Sequence, residues 1–291
     1  MAMSATTQPS SLPPALAAIR ANKPLLFLLA GALGGAAGSV LAEFAPGSGS
    51  NASPLALIVA TGIWSAIAAS VLTAALFMAG EWHQRRDVRP RSVQKLLLFG
   101  ALAGFLSGAV AQGAYSVQIG SPDFHAIVVR TGCWALMGAL LGALLSRPVP
   151  NLGLLRGLIA GAVGGGLGGI GFLLVGSILP DAMGRLVGIG TLGFALGLAM
   201  IVVEKIFREA SLEVIWAPNE TTNFNLGAQA VTIGGGEDHV FVRGLPARFA
   251  SIVFANGVIE YVETASGTRT PLKNGSRLEI GKLNLVIHAA K

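Results

Sequence analysis

Gly31-Ala32-Leu33-Gly34-Gly35 returns 69 residues later as Gly100-Ala101-Leu102-Ala103-Gly104, and 57 residues after that as Gly157-Leu158-Ile159-Ala160-Gly161. A second motif moves in step with the first. Thr61-Gly62-Ile63-Trp64 becomes Thr131-Gly132-Cys133-Trp134 and, more faintly, Ile189-Gly190-Thr191-Leu192. Two motifs sharing their offsets predict a glycine-rich helical hairpin written three times, over about 24–80, 95–146 and 153–207.

Around these motifs lie six apolar segments, at roughly 24–43, 54–80, 95–115, 124–146, 153–179 and 183–206. Each is near the ~20 residues needed to cross a bilayer. Hydrophobic residues make up 53% of the chain and charged residues only 12%, and mean hydropathy is +0.67. That balance predicts a polytopic α-helical membrane domain over 24–208 and excludes an ordinary soluble enzyme. Arg20 and Lys23 ahead of the first apolar run fit the opening of a signal peptide, but this run is the first copy of the repeat, so a retained helix is expected.

Lys and Arg placement sets the expected orientation. Arg20 and Lys23 precede helix 1, Arg85, Arg86, Arg89, Arg91 and Lys95 lie between helices 2 and 3, Arg147 and Arg156 between helices 4 and 5, and Lys205 and Arg208 follow helix 6. Residues 44–53 and 116–123 contain neither Lys nor Arg. The positive-inside rule therefore puts both termini, including the segment 1–23, in the cytoplasm of what reads as a bacterial inner-membrane protein. The net charge of +6 is concentrated at these helix ends, where it orients the chain and meets anionic lipid, so nucleic acid is not an expected partner.

Glycines four residues apart share one helix face and let two backbones approach closely. Gly31 and Gly35, Gly100, Gly104 and Gly108, and Gly157, Gly161 and Gly165 are the expected helix-packing rows. Acidic and basic residues such as Glu43, Asp123, Asp181, Arg130, Arg185 and Glu204 fall near helix ends and not at mid-membrane, which argues against an ion-coupled carrier. Trp64 and Trp134 occupy equivalent repeat positions and read as interfacial or inter-repeat anchors. The single Cys133 supports no internal disulfide, and His83 and His125 lack spaced ligand partners, so neither a metal nor a cofactor is expected.

After Arg208 short β-like runs replace the helical pattern. Strands are predicted at Ser211 to Ala217, Phe224 to Ile233, His239 to Val242, Phe249 to Phe254, Val258 to Glu263, and twice between Arg277 and His288. Asn256-Gly257 and Asn274-Gly275 are turn signals, because both residue types tolerate positive φ. Glu237-Asp238-His239 reads as a solvated polar turn.

This tail, over 212–289, resembles the forkhead-associated (FHA) family, a β-sandwich whose loops recognise phosphothreonine. Val231-Thr232-Ile233-Gly234-Gly235 is similar to the opening strand and glycine turn, and Ala247-Arg248-Phe249-Ala250-Ser251-Ile252 to the segment that carries serine and histidine. Thr264-Ala265-Ser266-Gly267-Thr268 is similar to the Ser-x-Asn-Gly-Thr loop, and Asn274-Gly275 with Leu278-Glu279-Ile280-Gly281 to the closing hairpin. The chain departs from the family at three positions: Gly235 replaces the phosphate-binding arginine, Phe249 the histidine and Ser266 the asparagine. The resemblance implies a cytoplasmic FHA-like module over 209–291 with Arg243, Arg248, Ser251, Ser266, Gly267, Thr268 and Arg269 as peptide-binding candidates. Phosphate recognition is expected to have lapsed.

The expected function is a membrane-anchored scaffold that presents this module to protein partners, alone or within a homo-oligomer or larger complex. A channel or transporter regulated by the tail is the alternative. The sequence carries no Ser/His/Asp order, paired acids, P-loop or metal-ligand spacing, so an enzyme is not expected.

Overall fold

The computed structural model describes residues 13–47, 52–117, 121–217, 220–281 and 283–289. Residues 1–12 of the expected N-terminal segment, 48–51 and 118–120 of the two Lys- and Arg-free loops, and the side chains of Asp123 and Asp181 lie outside that description. Among the described residues seven helices come first: α1 (Pro14–Ala21), α2 (Lys23–Ala42), α3 (Pro54–His83), α4 (Pro90–Tyr115), α5 (Pro122–Leu145), α6 (Leu154–Gly176) and α7 (Asp181–Ile206). The last six are long and apolar enough to cross a membrane. Helix α1 is an addition to the sequence reading, at 8 residues too short to announce itself.

Helix starts follow local chemistry. Proline sits in the first turn of α2, α3, α4 and α5, where its missing N–H costs nothing. Asn22, Ser53 and Ser121 accept the Leu25, Ala56 and Phe124 N–H groups as N-caps.

The six long helices close into a ring in chain order, with α7 returning to α2. The first and last glycines of the three GxxxG motifs, Gly31 and Gly35, Gly100 and Gly104, Gly157 and Gly161, are all buried. Their central residues Leu33, Leu102 and Ile159 point outward, at 66%, 50% and 49% exposure. A methyl group on Gly31 would overlap the Gly193 carbonyl of α7, on Gly104 the Ser65 carbonyl of α3, and on Gly161 the Gly138 carbonyl of α5. Each motif thus meets the helix before it in the ring.

A second face of α2 carries Gly34 and Gly38 against α3, and α6 carries Gly164 and Gly168 against α7. Helix α4 has Ala103 and Ser107 at the corresponding offsets, and its seam with α5 is the loosest in the ring. Side chains where glycine would admit a backbone hold those two helices apart. The centre of the bundle is filled by Leu72 and Leu76 of α3, Met137 and Leu141 of α5, and Leu192, Leu196 and Met200 of α7.

The C-terminal region is built of nine strands: β1 (Ala210–Ala217), β2 (Glu220–Leu226), β3 (Val231–Gly234), β4 (Val240–Phe241), β5 (Ala250–Ala255), β6 (Val258–Glu263), β7 (Arg269–Leu272), β8 (Arg277–Ile280) and β9 (Leu283–Ala289). They form a four-stranded sheet in the order β2-β1-β9-β8 and a five-stranded sheet in the order β4-β3-β5-β6-β7. Alternate residues of both sheets, among them Leu212, Phe224, Ile233, Ile252, Leu285 and Ile287, share one buried core.

Two strand boundaries differ from the sequence reading. Phe224 to Ile233 is two strands in different sheets, broken at Gly227, where the chain crosses from one layer to the other. Strand β7 was not expected, because Arg269-Thr270-Pro271-Leu272 has one apolar residue besides proline; as an edge strand it pairs only with β6 and tolerates Pro271.

Candidate functional site

The β region meets the bundle along the two edge strands β2 and β4. Glu220, at the start of β2, accepts a hydrogen bond from Arg20 of α1 at 2.8 Å and pairs with Arg85 from the α3–α4 loop. The Arg85 guanidinium also lies 5.3 Å above the Trp216 ring. Burial holds both guanidinium groups below their ordinary pKa, and the charge of Arg20 lowers Arg85 further. Glu220 is the carboxylate that offsets this crowding.

The contact continues along β2. Thr222 Oγ1 accepts from Trp216 Nε1 at 3.0 Å and donates to the His83 carbonyl at 3.4 Å. Arg208 Nε donates to Asn225 Oδ1 at 2.9 Å, and Arg208 and Lys23 both pair with Glu204. At the far end Asn151, from the α5–α6 loop, donates to the Asn225 and Gln229 carbonyls at 2.9 and 3.0 Å and accepts from the Gln229 N–H at 2.8 Å. On the β4 side Arg89 pairs with Glu237.

None of these docking residues was a sequence-level candidate. Apart from Arg208 and Asn225, 17 positions apart, their cross-junction partners lie 74 to 200 positions away, and a lone Glu or Asn in a turn carries no local periodic signal.

The turns between β3 and β4, β4 and β5, and β6 and β7 gather at one end of the five-stranded sheet. Gly235 N–H donates to the Pro246 carbonyl at 3.0 Å, and Thr264 N–H to the Phe249 carbonyl at 3.1 Å. Asp238 is 2% exposed, and its Oδ2 accepts the Gly236 and Arg248 N–H groups at 3.1 and 3.0 Å. That corrects the reading of Glu237-Asp238-His239 as a solvated turn: only Glu237 is exposed, Asp238 ties two turns together, and Thr232 N–H donates to His239 Nδ1 at 3.1 Å. Burial lowers the His239 pKa, and the nearby Arg86 charge adds to it.

The seven loop candidates divide by role. Arg243 and Arg248 are exposed, and among the described residues their side chains make no hydrogen bond or ion pair. Arg248 adopts φ +52, which turns the chain after β4. Ser266 donates to Glu263 Oε2 at 2.6 Å and caps the turn by accepting the Thr268 N–H at 3.2 Å, with Gly267 at φ +66. Arg269 donates to Glu260 across the β6–β7 pair. Ser251 is half-buried within β5 and faces Thr232 in the register. Phe249 packs against the β core, and a β-carbon on Gly235 would overlap the Leu245 carbonyl.

At the opposite end of the bundle Trp64 and Trp134 line two adjoining cavities of about 190 and 440 Å³. Trp134 covers Gly169 and packs against Phe172 with the rings tilted by 49° and their centroids 5.4 Å apart. Arg185 bridges Glu43 with two hydrogen bonds, at 2.6 and 3.0 Å. These bonds hold the Glu43 carboxyl below its ordinary pKa, with a smaller contribution from Trp64. No cluster of metal-ligating side chains is present among the described residues. Comparison with protein-family models, with curated proteins and with solved structures finds no match for this chain.

Proposed function

We propose that this chain is a membrane-anchored interaction protein whose FHA-like β-sandwich is held against the cytoplasmic face of a bacterial inner membrane and recruits protein partners. The observation that carries the reading is the asymmetry of the β region. Its β2 and β4 edges are tied to the bundle through Glu220, Asn151, Thr222 and Glu237, while the turns bearing Arg243, Arg248 and Thr268 remain exposed. A domain tethered only for folding has no need of seven polar links to its anchor.

The filled bundle centre favours an anchor over a conduit. Leu72, Leu141, Leu192 and Leu196, each at most 1% exposed, occupy the axis that a path would need. The matched seams of Gly31, Gly104 and Gly161 support three repeated hairpins, and the Arg and Lys residues gathered at the β-bearing end support cytoplasmic termini. The arginine-free Gly235 turn supports recognition of an unmodified protein surface.

Site-specific photo-crosslinkers at 243, 248 and 268 in the full-length protein test this. Adducts to a discrete protein are expected at those positions and not at the equally exposed Asn256 or Asn274 on the far turns. Identical labelling at all five positions, or none, would sink the proposal.

A further inference from the structure

We infer that the cleft between the bundle and the β region is a binding site for one anionic glycerophospholipid. Its volume, about 620 Å³, lies within the ~300–1,000 Å³ of small-molecule sites. One wall is a stripe of α4 spaced three and four residues apart, Lys95, Leu96 and Phe99; the facing wall is Leu144 and Arg147 at the end of α5. The β3–β4 turn, 235–238, forms the roof.

The formal charges cancel, and it is the unengaged ones that point to an anion. Four cations and four carboxylates line the cleft, and most of them are already engaged. Arg86 pairs with Glu81 at 3.2 Å, Arg89 pairs with Glu237, and Asp238 accepts two backbone N–H groups. Lys95 and Arg147 make no hydrogen bond or ion pair among the described residues, and Asp87 is the one carboxylate left to oppose them. A phosphate diester in the cleft would offer acceptors to these two unpaired cations.

The apolar part selects an amphiphile over a soluble phosphate. Leu96 and Phe99 carry the cleft down the membrane-spanning part of α4, toward the loosest seam of the ring, where Ala103 and Ser107 keep α5 at a distance. Phe99 is 45% exposed, and lipid-facing residues along the same helix such as Leu98 and Leu102 are exposed too, so the cleft opens to the acyl region. Lys95 stands at the end of the same stripe, with Arg147 on the facing wall, the position a headgroup takes when its chains lie along a helix.

Native mass spectrometry of the full-length protein, incubated in mixed micelles with phosphatidylglycerol or phosphatidylcholine, tests the site. One retained phosphatidylglycerol is expected. Replacing both Lys95→Gln and Arg147→Gln should weaken it about 30-fold, at about 1 kcal/mol for each cation near a lipid surface. Arg91→Gln, in the same helix turn but outside the cleft, should change nothing. Leu96→Trp, which fills the floor without altering charge, should also expel the lipid, and thermal unfolding of each variant verifies that it is folded. Equal retention by K95Q/R147Q, equal retention of phosphatidylcholine, or displacement by water-soluble glycerol 3-phosphate would each overturn the assignment.

Discussion

Asn151 and Gln229 bind each other reciprocally across the junction between bundle and β region: Asn151 Nδ2 donates to the Gln229 carbonyl at 3.0 Å, and Gln229 N–H donates to Asn151 Oδ1 at 2.8 Å. The amide side chain thereby imitates one rung of a β-ladder, and its second N–H donates to the Asn225 carbonyl. Asn151 sits at φ +59, a conformation asparagine tolerates better than most residues.

Asn151→Asp keeps the size and the acceptor but removes both donors and sets a carboxylate against two carbonyl oxygens. Each lost bond is worth about 1 kcal/mol, so the junction should weaken by about 2 kcal/mol. Hydrogen exchange at Gln229 should then accelerate about 30-fold, while the buried amides of β5 stay protected. Unchanged protection at Gln229 would show that the Asn151 donors do not hold this edge of the β region.

The bundle supplies a test in which two glycine substitutions have opposite signs. A methyl group on Gly161 overlaps the Gly138 carbonyl, so Gly161→Ala must part α5 from α6 and should cost about 1–3 kcal/mol in detergent unfolding. Gly132, on the same α5, has nothing within 4 Å of an added β-carbon, so Gly132→Ala should gain up to about 1 kcal/mol from helix propensity. Equal effects would mean that glycine spacing does not set this seam. On α4, Ala101 is half-buried and its neighbour Leu102 is exposed, at 50%.

These contrasts show what was legible in the sequence. The six spans and the glycine faces could be read because hydropathy and four-residue spacing are local properties of a helix, and Gly31, Gly104 and Gly161 need no partner's identity to be recognised as small. Which helix each would meet was not legible, since Gly161 against Gly138 depends on ring closure. Strand β6 was legible over its full length, whereas β2 and β3 merged because Gly227-Ala228-Gln229 lacks a strong turn signature. The loop candidates were placed together, but Glu220, Asn151 and Asp238 were missed because their roles arise from burial and from partners on other elements.

At the end of the bundle away from the β region, the Glu43–Arg185 pair should respond to acid. Hydrogen bonds from Arg185 lower the Glu43 pKa, so the pair contributes fully above the ordinary glutamate value of about 4.3 and is lost only as pH falls through the lower folded value. Trp64, which lines the same cavity as Glu43, reports the event. The Trp64 component of fluorescence, isolated by subtracting a Trp64→Phe variant, should stay constant from pH 7 to about 4.3 and change below it. Glu43→Gln should abolish the transition; a persisting one would assign it to another group.

The Gly235 turn decides whether an arginine placed there could confer phosphate recognition. Gly235 N–H donates to the Pro246 carbonyl, and its α-carbon faces the Leu245 carbonyl so closely that no β-carbon fits. Gly236 faces Ala247 in the same way, and buried Asp238 clamps the turn through the Gly236 and Arg248 N–H groups. An arginine at 235 would therefore have to displace the β4–β5 connection before its guanidinium reached any ligand. Gly235→Arg should destabilise the β region by about 1–3 kcal/mol, as overpacking does, and should add no affinity for phosphothreonine peptides. Calorimetry on the full-length protein, with phosphorylated and unmodified forms of the same peptides, should show no preference in the parent chain, in Arg248→Ala or in Gly235→Arg. A stable Gly235→Arg variant that gains phosphate-dependent binding would mean that the turn can open, and that only the arginine is missing from a phosphopeptide site.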